Sequence, residues 1–324
     1  MRRRFVLVTA ALVAAFALQL APANAQSDWP NKPVKILIGF GAGGGTDVAT
    51  RIVAEGLSEI LGQQFTVENR PGAGGTIAGG MVARSPKDGY TAVALSMGHA
   101  VSAVMVKSVP YDPIADFAPI GIFTNSAIVV AVGKNSPATD LKSLVALVNK
   151  EPGKLNYSTV GLGSTQHLIA EDLVQRTGMK AQAIAYKTTG EVVTALIRGD
   201  SAFAVDLYHA IRGQVDAGEL RVLATSTPTR WGPIPNVPAV AETLPGFGVL
   251  GWYGLAFPAG TPQPIIDKLR GALQQVLARE SVKKKLEGVG AVANLSTPEE
   301  FRKTIESDIS GFKEVAGKAG LQAN

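Results

Sequence analysis

Short apolar runs rich in β-branched residues alternate along the chain with longer segments of helical periodicity. Each apolar run is of strand length, and most of them end where a glycine-rich or polar segment begins. This alternation is typical of an α/β protein with largely parallel sheets. We predict strands at 34–40, 64–68, 91–95, 128–132, 155–159, 202–206 and 220–225.

Several of the predicted helices have recognisable ends. Helices over 46–61 and 164–177 are each followed by a glycine, Gly62 and Gly178, which readily adopts the left-handed conformation that closes a helix. Residues 297–300 place a cap, a first-turn proline and a capping-box glutamate in order. Further helices are predicted at 141–149 and from 262 onward.

Composition narrows the class of protein. A chain of 324 residues exceeds the size of about 250–300 residues at which a single core stops growing, so we expect two lobes. The net charge is +5, and no basic cluster with interleaved aromatics argues for nucleic-acid binding. With no cysteine and only three widely spaced histidines, we expect neither disulfides nor a metal site.

The first 25 residues read as a secretory signal peptide. Three arginines precede an apolar stretch over 5–20, and small residues follow up to Ala25. The apolar stretch is shorter than the roughly 20 residues needed to span a bilayer. We therefore expect cleavage near Ala25/Gln26, and removal of the three arginines leaves a nearly neutral charge of +2.

One local arrangement occurs twice, once in each half of the chain. A predicted strand runs into a glycine-rich turn and then a helix at 34–47 and again at 155–164. Unpaired N–H groups at a helix N-terminus attract anions, and glycine lets a ligand approach closely. Each turn alone is equally explained as a tight turn without a ligand. As a pair in separate lobes they could hold the two ends of a dicarboxylate across a cleft, with further N–H donors from 70–76.

Two enzymatic interpretations compete with this one. Gly39, Gly41 and Gly44 match the dinucleotide fingerprint of an oxidoreductase, but export argues against that activity. Ser96 lies in a sequence similar to the nucleophile elbow of a hydrolase, yet His209 and Asp206 follow it at the spacing of a single loop. We expect no enzymatic activity and no cofactor.

Motifs spread over almost the whole mature chain resemble the Bug family, the periplasmic receptors of tripartite tricarboxylate transporters. They include 40–47, 68–75, 88–91, 110–113, 152–155, 161–164 and 258–262. The resemblance implies a type II periplasmic-binding-protein fold, a venus flytrap with its cleft between two lobes. Lobe 1 would comprise 26–125 and 250–324, and lobe 2 would comprise 126–249.

The same resemblance implies a monomeric periplasmic receptor that captures a small di-, tri- or aromatic carboxylate for membrane permease subunits. Its binding residues in lobe 1 would be Phe40, Gly43, Gly44, Thr46, Asp47, Ala73, Gly74 and Ser96. Those in lobe 2 would be Gly161, Gly163, Ser164, His167, Lys187 and Asp206.

Simpler roles exist for several of these residues. Thr46 and Ser164 are equally suited to cap a helix, and Trp252 and Tyr253 could floor the pocket, although we expect them in the core. This chain also departs from the family where Gly41-Ala42 replaces two prolines and where two threonines follow Lys187. The Lys187 contact is therefore the least secure of the set.

Overall fold

The computed structural model describes residues 28–323, which form two lobes, each built on one mixed sheet with helices against it. The strands are β1 (Val34–Ile38), β2 (Phe65–Asn69), β3 (Thr91–Ser96), β4 (Phe117–Ser126), β5 (Ile128–Gly133), β6 (Asn156–Val160), β7 (Gln182–Tyr186), β8 (Phe203–Leu207), β9 (Leu220–Thr225), β10 (Gly251–Pro258) and β11 (Ala291–Ala293). The helices are α1 (Gly45–Leu61), α2 (Thr76–Ala83), α3 (Met97–Met105), α4 (Leu141–Lys150), α5 (Thr165–Thr177), α6 (Thr189–Arg198), α7 (Tyr208–Asp216), α8 (Gln263–Ala278), α9 (Glu280–Gly288) and α10 (Pro298–Ala319).

The two sheets take their strands from different parts of the chain. The first sheet has the order β11-β4-β10-β3-β1-β2 and uses both ends of the described chain. The second has the order β7-β6-β8-β5-β9 and uses the middle. In each sheet three strands run parallel, β2-β1-β3 and β7-β6-β8, and the helices that follow β1, β3, β6 and β8 begin at the carboxyl ends of these strands. Ligands bind at such ends in α/β proteins.

The expectation of largely parallel sheets is wrong for the strands at which the chain changes sheets. Strand β4 ends at Ser126 and β5 begins at Ile128, so the chain passes directly from one sheet to the other. It returns between β9 and β10. Because these crossing strands enter from the opposite direction, β10 is antiparallel to β3 and β4, and β5 is antiparallel to β8 and β9.

The helix ends predicted from sequence are confirmed. Helices α1 and α5 end at Gly62 and Gly178, each in the left-handed conformation with φ of 68°. Helix α10 begins with a complete capping box between Thr297 and Glu300. Strands β4, β7, β10 and β11 were absent from the predicted set.

The buried core runs from one lobe into the other. A single cluster of buried side chains contains Ile122 of the first sheet and Val130 of the second, together with Leu168 on α5 and Phe312 on α10. Helix α10 thus packs against both lobes on the side where the chain crosses. Continuous packing on this side leaves the opposite side as the place where the lobes can separate.

Within residues 28–323, no helix combines the length and apolar character needed to cross a membrane. The predicted signal peptide and its cleavage site lie outside the described residues.

Candidate binding cleft

The N-termini of four helices meet at a cavity of about 250 Å³ between the lobes. Helices α1 and α3 belong to the first lobe and α5 and α7 to the second. The residues they contribute at or beside their first turns are Gly44, Gly45, Thr46, Ser96, Met97, Gly98, Thr165, Gln166 and Leu207. The first N–H groups of a helix have no partner within it and carry partial positive charge. This inner cavity is therefore suited to an anion.

The floor of the inner cavity comes from strands β4 and β10 at the crossing point. Ser126, Trp252 and Tyr253 line it, and all three are buried. The Ser126 hydroxyl makes no well-formed hydrogen bond with another described residue, although the Tyr253 hydroxyl lies near it. Burial raises the pKa of Tyr253 to about 12, although the nearby Thr46 and Ser126 hydroxyls oppose this rise. Tyr253 is thus a neutral hydroxyl at physiological pH.

A second cavity of about 380 Å³, the outer chamber, adjoins the first and shares Phe40, Gly98, Thr165 and Gln166 with it. Its remaining lining residues are Ala73, Gly74, Val101, Ser102, Met105, Val106, Leu162, Gly163 and Ser164. Among the described residues, no charged side chain lines either cavity. Electrostatic attraction in this cleft therefore depends on backbone N–H groups.

The two glycine-rich turns are built in the same way. Gly43 and Gly163 each precede the helix N-cap with a positive φ, 81° and 77°, which glycine adopts without strain. The N–H of Gly43 donates to Asp47 Oδ2 at 2.9 Å, and the N–H of Gly163 donates to His167 Nδ1 at 3.0 Å. In both turns the acceptor is four residues further on, so the sequence repeat corresponds to one repeated structural device.

Asp47 holds the first turn together. Besides Gly43, its carboxylate accepts hydrogen bonds from Arg51 Nε and Asn69 Nδ2, both at 2.9 Å. Burial acts to raise the pKa of Asp47, but the hydrogen bonds from Arg51, Gly43 and Asn69 outweigh burial and lower it. The carboxylate is thus ionised and already engaged, with Asn69 also donating to the Phe40 carbonyl oxygen at 3.1 Å.

His167 plays the corresponding part in the second turn. It is buried, and burial lowers its pKa, although the Glu171 carboxylate 3.7 Å away opposes that effect. A neutral ring can accept the Gly163 N–H at Nδ1. Glu171 in turn accepts a short hydrogen bond from the Tyr157 hydroxyl. His167 therefore stabilises the conformation of the second glycine-rich turn through its hydrogen bond with the Gly163 N–H.

Asp206 lies directly behind Gln166. Its Oδ1 accepts from the Leu207 N–H at 2.7 Å and from Gln166 Nε2 at 3.3 Å, while Oδ2 makes no well-formed hydrogen bond among the described residues, although the Thr189 side chain lies near the carboxyl group. Burial raises the pKa of Asp206, and the hydrogen bonds from Leu207, Gln166 and Thr189 oppose this. Asp206 thereby orients Gln166, which lines both cavities.

The lobes touch at Gly45. A Cβ atom built on Gly45 would lie 2.6 Å from the His209 ring of α7 and closer still to the Tyr253 hydroxyl of its own lobe. Burial lowers the pKa of His209, so its ring is neutral at physiological pH. Only a residue without a side chain fits here, because Tyr253 of the same lobe and His209 of the second lobe both occupy the space. Sequence reasoning did not identify Gly45 or this role of His209.

The structure divides the predicted site residues into three groups. Those that line the inner cavity or the outer chamber are Phe40, Gly44, Thr46, Ala73, Gly74, Ser96, Gly163 and Ser164. Those that support the lining from behind are Gly43, Asp47, His167 and Asp206. Gly161 and Lys187 line neither cavity: the Gly161 N–H donates to the Tyr186 carbonyl oxygen, and Lys187 is exposed beside a surface groove.

Lining residues of the inner cavity that sequence reasoning missed are Gly45, Met97, Gly98, Ser126, Ile128, Thr165, Gln166, Leu207 and Gly251. Met97, Gly98 and Leu207 stand at helix starts directly after the predicted strands ending at 95 and 206, which is the signal that could have found them. Trp252 and Tyr253 are buried in the core and also form the floor of the inner cavity, so both roles considered for them apply.

Neither enzymatic interpretation is supported by this geometry. Ser96 is the N-cap of α3, where its hydroxyl accepts the Gly98 N–H at 3.2 Å. Gly39, the first glycine of the apparent dinucleotide fingerprint, packs against another loop, where a Cβ would lie 2.8 Å from the Gly75 carbonyl oxygen.

Comparison with known proteins identifies the family. Residues 49–321 match the model of the tripartite tricarboxylate transporter family receptor. The chain belongs to this family of receptors. Family members and structural neighbours are solute-binding receptors and not enzymes. The interpretation as a receptor is therefore supported over the oxidoreductase and hydrolase interpretations.

Individual relatives agree with this assignment. The receptor is 31% identical to the protein BugT of Bordetella pertussis over 305 residues, which is 93% of each chain. Among solved structures, the periplasmic binding protein BugD is 30% identical with a TM-score of 0.76, and covers 91% of this chain and 100% of its own. An R. palustris protein solved with adipate is 32% identical with a TM-score of 0.81 and the same coverage.

Proposed function

We propose that this receptor captures a small organic carboxylate in the cleft between its lobes and delivers it to the membrane permease of a tripartite tricarboxylate-type transporter. One observation carries the proposal: four helix N-termini from two lobes meet at one cavity whose floor holds the buried Ser126 hydroxyl, which makes no well-formed hydrogen bond with another described residue. Helix N-termini bind anions without a charged side chain. A carboxylate satisfies both the N–H groups and the hydroxyl.

Closure of the lobes supplies selectivity. The ligand enters the open cleft, and the lobes then close about the crossing segments and bury it. In the closed form Thr46 and Ser96 approach the carboxylate from the first lobe, and Ser164 and Gln166 approach from the second. That the R. palustris relative was solved with adipate supports a carboxylate as ligand.

The proposal includes where the protein works and how it is divided. The chain is exported, cleaved near Ala25/Gln26, and acts as a monomer in the periplasm. Its lobes comprise 26–125 with 250–324, and 126–249. Intact mass of the periplasmic protein and its mass in solution test cleavage and oligomeric state.

Calorimetry on the mature protein tests the function. A panel of di-, tri- and aromatic carboxylates should contain at least one that binds, and Thr46→Ala and Ser164→Ala should each weaken it by about 1 kcal/mol, the loss of a hydrogen bond to a charged group. Thr304→Ala, which removes a hydroxyl on α10 that lines neither cavity, serves as the control and should bind normally. Unchanged affinity in both cleft variants would remove these side chains from the site, and failure of every acid to bind would refute the function.

A further inference from the structure

The charge that the cleft can accommodate is limited. Its positive potential comes from four helix N-termini, each equivalent to about half an elementary charge, so together they balance roughly two negative charges. Among the described residues, no Lys or Arg lines either cavity to add to this. A third carboxylate on a ligand would be uncompensated.

The outer chamber carries apolar side chains on both of its facing sides, beside the polar side chains of Ser102, Ser164, Thr165 and Gln166. Val101, Met105 and Val106 line it from the first lobe, and Leu162 lines it from the second. Leu162 stands at the tip of its turn with 59% of its surface exposed. Covering such a side chain with an apolar ligand removes apolar surface from water, which is favourable. Phe40 stands where the two cavities join, so the path between them is also apolar.

We infer that the cleft selects acids with one or two carboxylates on an apolar chain or ring. A carboxylate occupies the inner cavity at the helix N-termini, and the apolar body extends past Phe40 into the outer chamber. Tricarboxylates and hydroxyl-rich acids bind poorly, because their additional polar groups lose water against Val101, Met105 and Leu162 without gaining partners. This inference rests on the proposed function and narrows its ligand class.

Calorimetry with a matched set of acids on the mature protein tests the inference. Octanedioate should bind more tightly than butanedioate, and about tenfold or more tightly than citrate or tartrate. Leu162→Ser should weaken octanedioate binding about three- to tenfold and leave butanedioate binding unchanged. Ile197→Ser removes another exposed apolar side chain, 36% exposed, on α6 and outside both cavities, and it should change neither affinity.

The outcomes separate this inference from the function on which it rests. Citrate or tartrate binding more tightly than octanedioate would overturn it while leaving a carboxylate receptor in place. The same holds if Leu162→Ser weakens all acids equally, since the leucine would then act on the fold and not on the apolar body. Binding of none of the acids would overturn the function and the inference together.

Discussion

Asp47 and Ser126 are both buried polar residues beside the cleft, but their hydrogen bonds differ. Asp47 accepts from three donors of its own lobe, and its lowered pKa reflects that it is fully engaged before any ligand arrives. Ser126 is 1% exposed and its hydroxyl makes no well-formed hydrogen bond in the described part of the chain. Burying a hydroxyl without a well-formed hydrogen bond costs free energy, and a ligand that accepts or donates this hydrogen bond removes that cost. Asp47 thus builds the site, whereas Ser126 is available to the ligand.

This difference predicts the behaviour of Ser126→Ala. Removal of the Ser126 hydroxyl should leave the free energy of unfolding within about 0.5 kcal/mol of the wild-type value, because no well-formed hydrogen bond is lost, only the contact with the nearby Tyr253 hydroxyl. Carboxylate affinity should fall about five- to tenfold. Urea unfolding and calorimetry measure the two effects.

Ser201→Ala is the matched control, because the Ser201 hydroxyl is also buried but donates to Ser158 Oγ at 3.0 Å. It should lose about 1 kcal/mol of stability and bind normally. Ser126→Ala with lower stability and unchanged affinity would show that its hydroxyl serves the fold.

Helix α10 links the cleft floor to the side where the lobes are joined. Asp308 on this helix accepts a hydrogen bond from the Trp252 indole Nε1 at 2.7 Å, and the same Trp252 lines the inner cavity. Burial raises the pKa of Asp308 to about 6, against which the Trp252 hydrogen bond acts. The floor of the cleft is thus held by a carboxyl group that titrates near neutral pH.

The sign of the resulting pH dependence follows from linkage. An unfolded aspartate has a pKa of about 3.9, so between about pH 4 and 6 the folded protein holds more protons at Asp308 than the unfolded chain. Its contribution to stability therefore falls as the pH rises through this window. Asp308→Asn keeps an acceptor for Trp252 and removes the titration. The unfolding free energy of Asp308→Asn, relative to that of the wild type, should therefore be about 1–2 kcal/mol higher at pH 7 than at pH 4.

Urea unfolding at both pH values measures this gain, with Glu306→Gln, an exposed change on the same helix, as the control. Parallel profiles for wild type and Asp308→Asn would contradict the raised pKa.

At the level of secondary-structure elements, the sequence predicted those features that depend only on neighbouring residues. The glycine-rich turns before α1 and α5 were predictable, because each combines a positive-φ glycine with a helix N-terminus. The short helices α3 and α7 were not predicted, since no glycine-rich turn announces them. The antiparallel strands β5 and β10 depend on the direction in which the chain crosses between lobes, which is a long-range property that periodicity does not contain.

On the scale of the whole molecule, the two lobes meet face to face at the cleft and share a continuous core on the other side. At the cleft, Gly45 of the first lobe contacts His209 of the second, and Gly290 contacts the same histidine. Contacts this close require the lobes to be together. The affinity for ligand therefore depends on whether this contact can form.

Gly45→Ala tests the dependence of binding on closure. The added methyl group would overlap both the Tyr253 hydroxyl of its own lobe and the His209 ring of the second lobe. Affinity should fall about tenfold or more, the usual cost of overpacking, and the effect on closure is isolated by the change in compaction. Gly41→Ala lies in the same turn with open space around it, and should bind normally. Small-angle scattering with saturating ligand should show a smaller decrease in radius of gyration for Gly45→Ala than for Gly41→Ala. Equal affinity and equal compaction in the two variants would contradict closure at this contact.

The central claim is that helix N-termini from both lobes hold the ligand's carboxylate. A crystal structure of the mature receptor with octanedioate tests it most directly. We predict a carboxylate in the inner cavity, with its oxygens about 3 Å from N–H groups in the first turns of α1 and α5 and within hydrogen-bonding distance of the Ser126 hydroxyl. A carboxylate bound outside the cleft, or held there by a lysine or arginine side chain in place of the helix N-termini, would contradict the account.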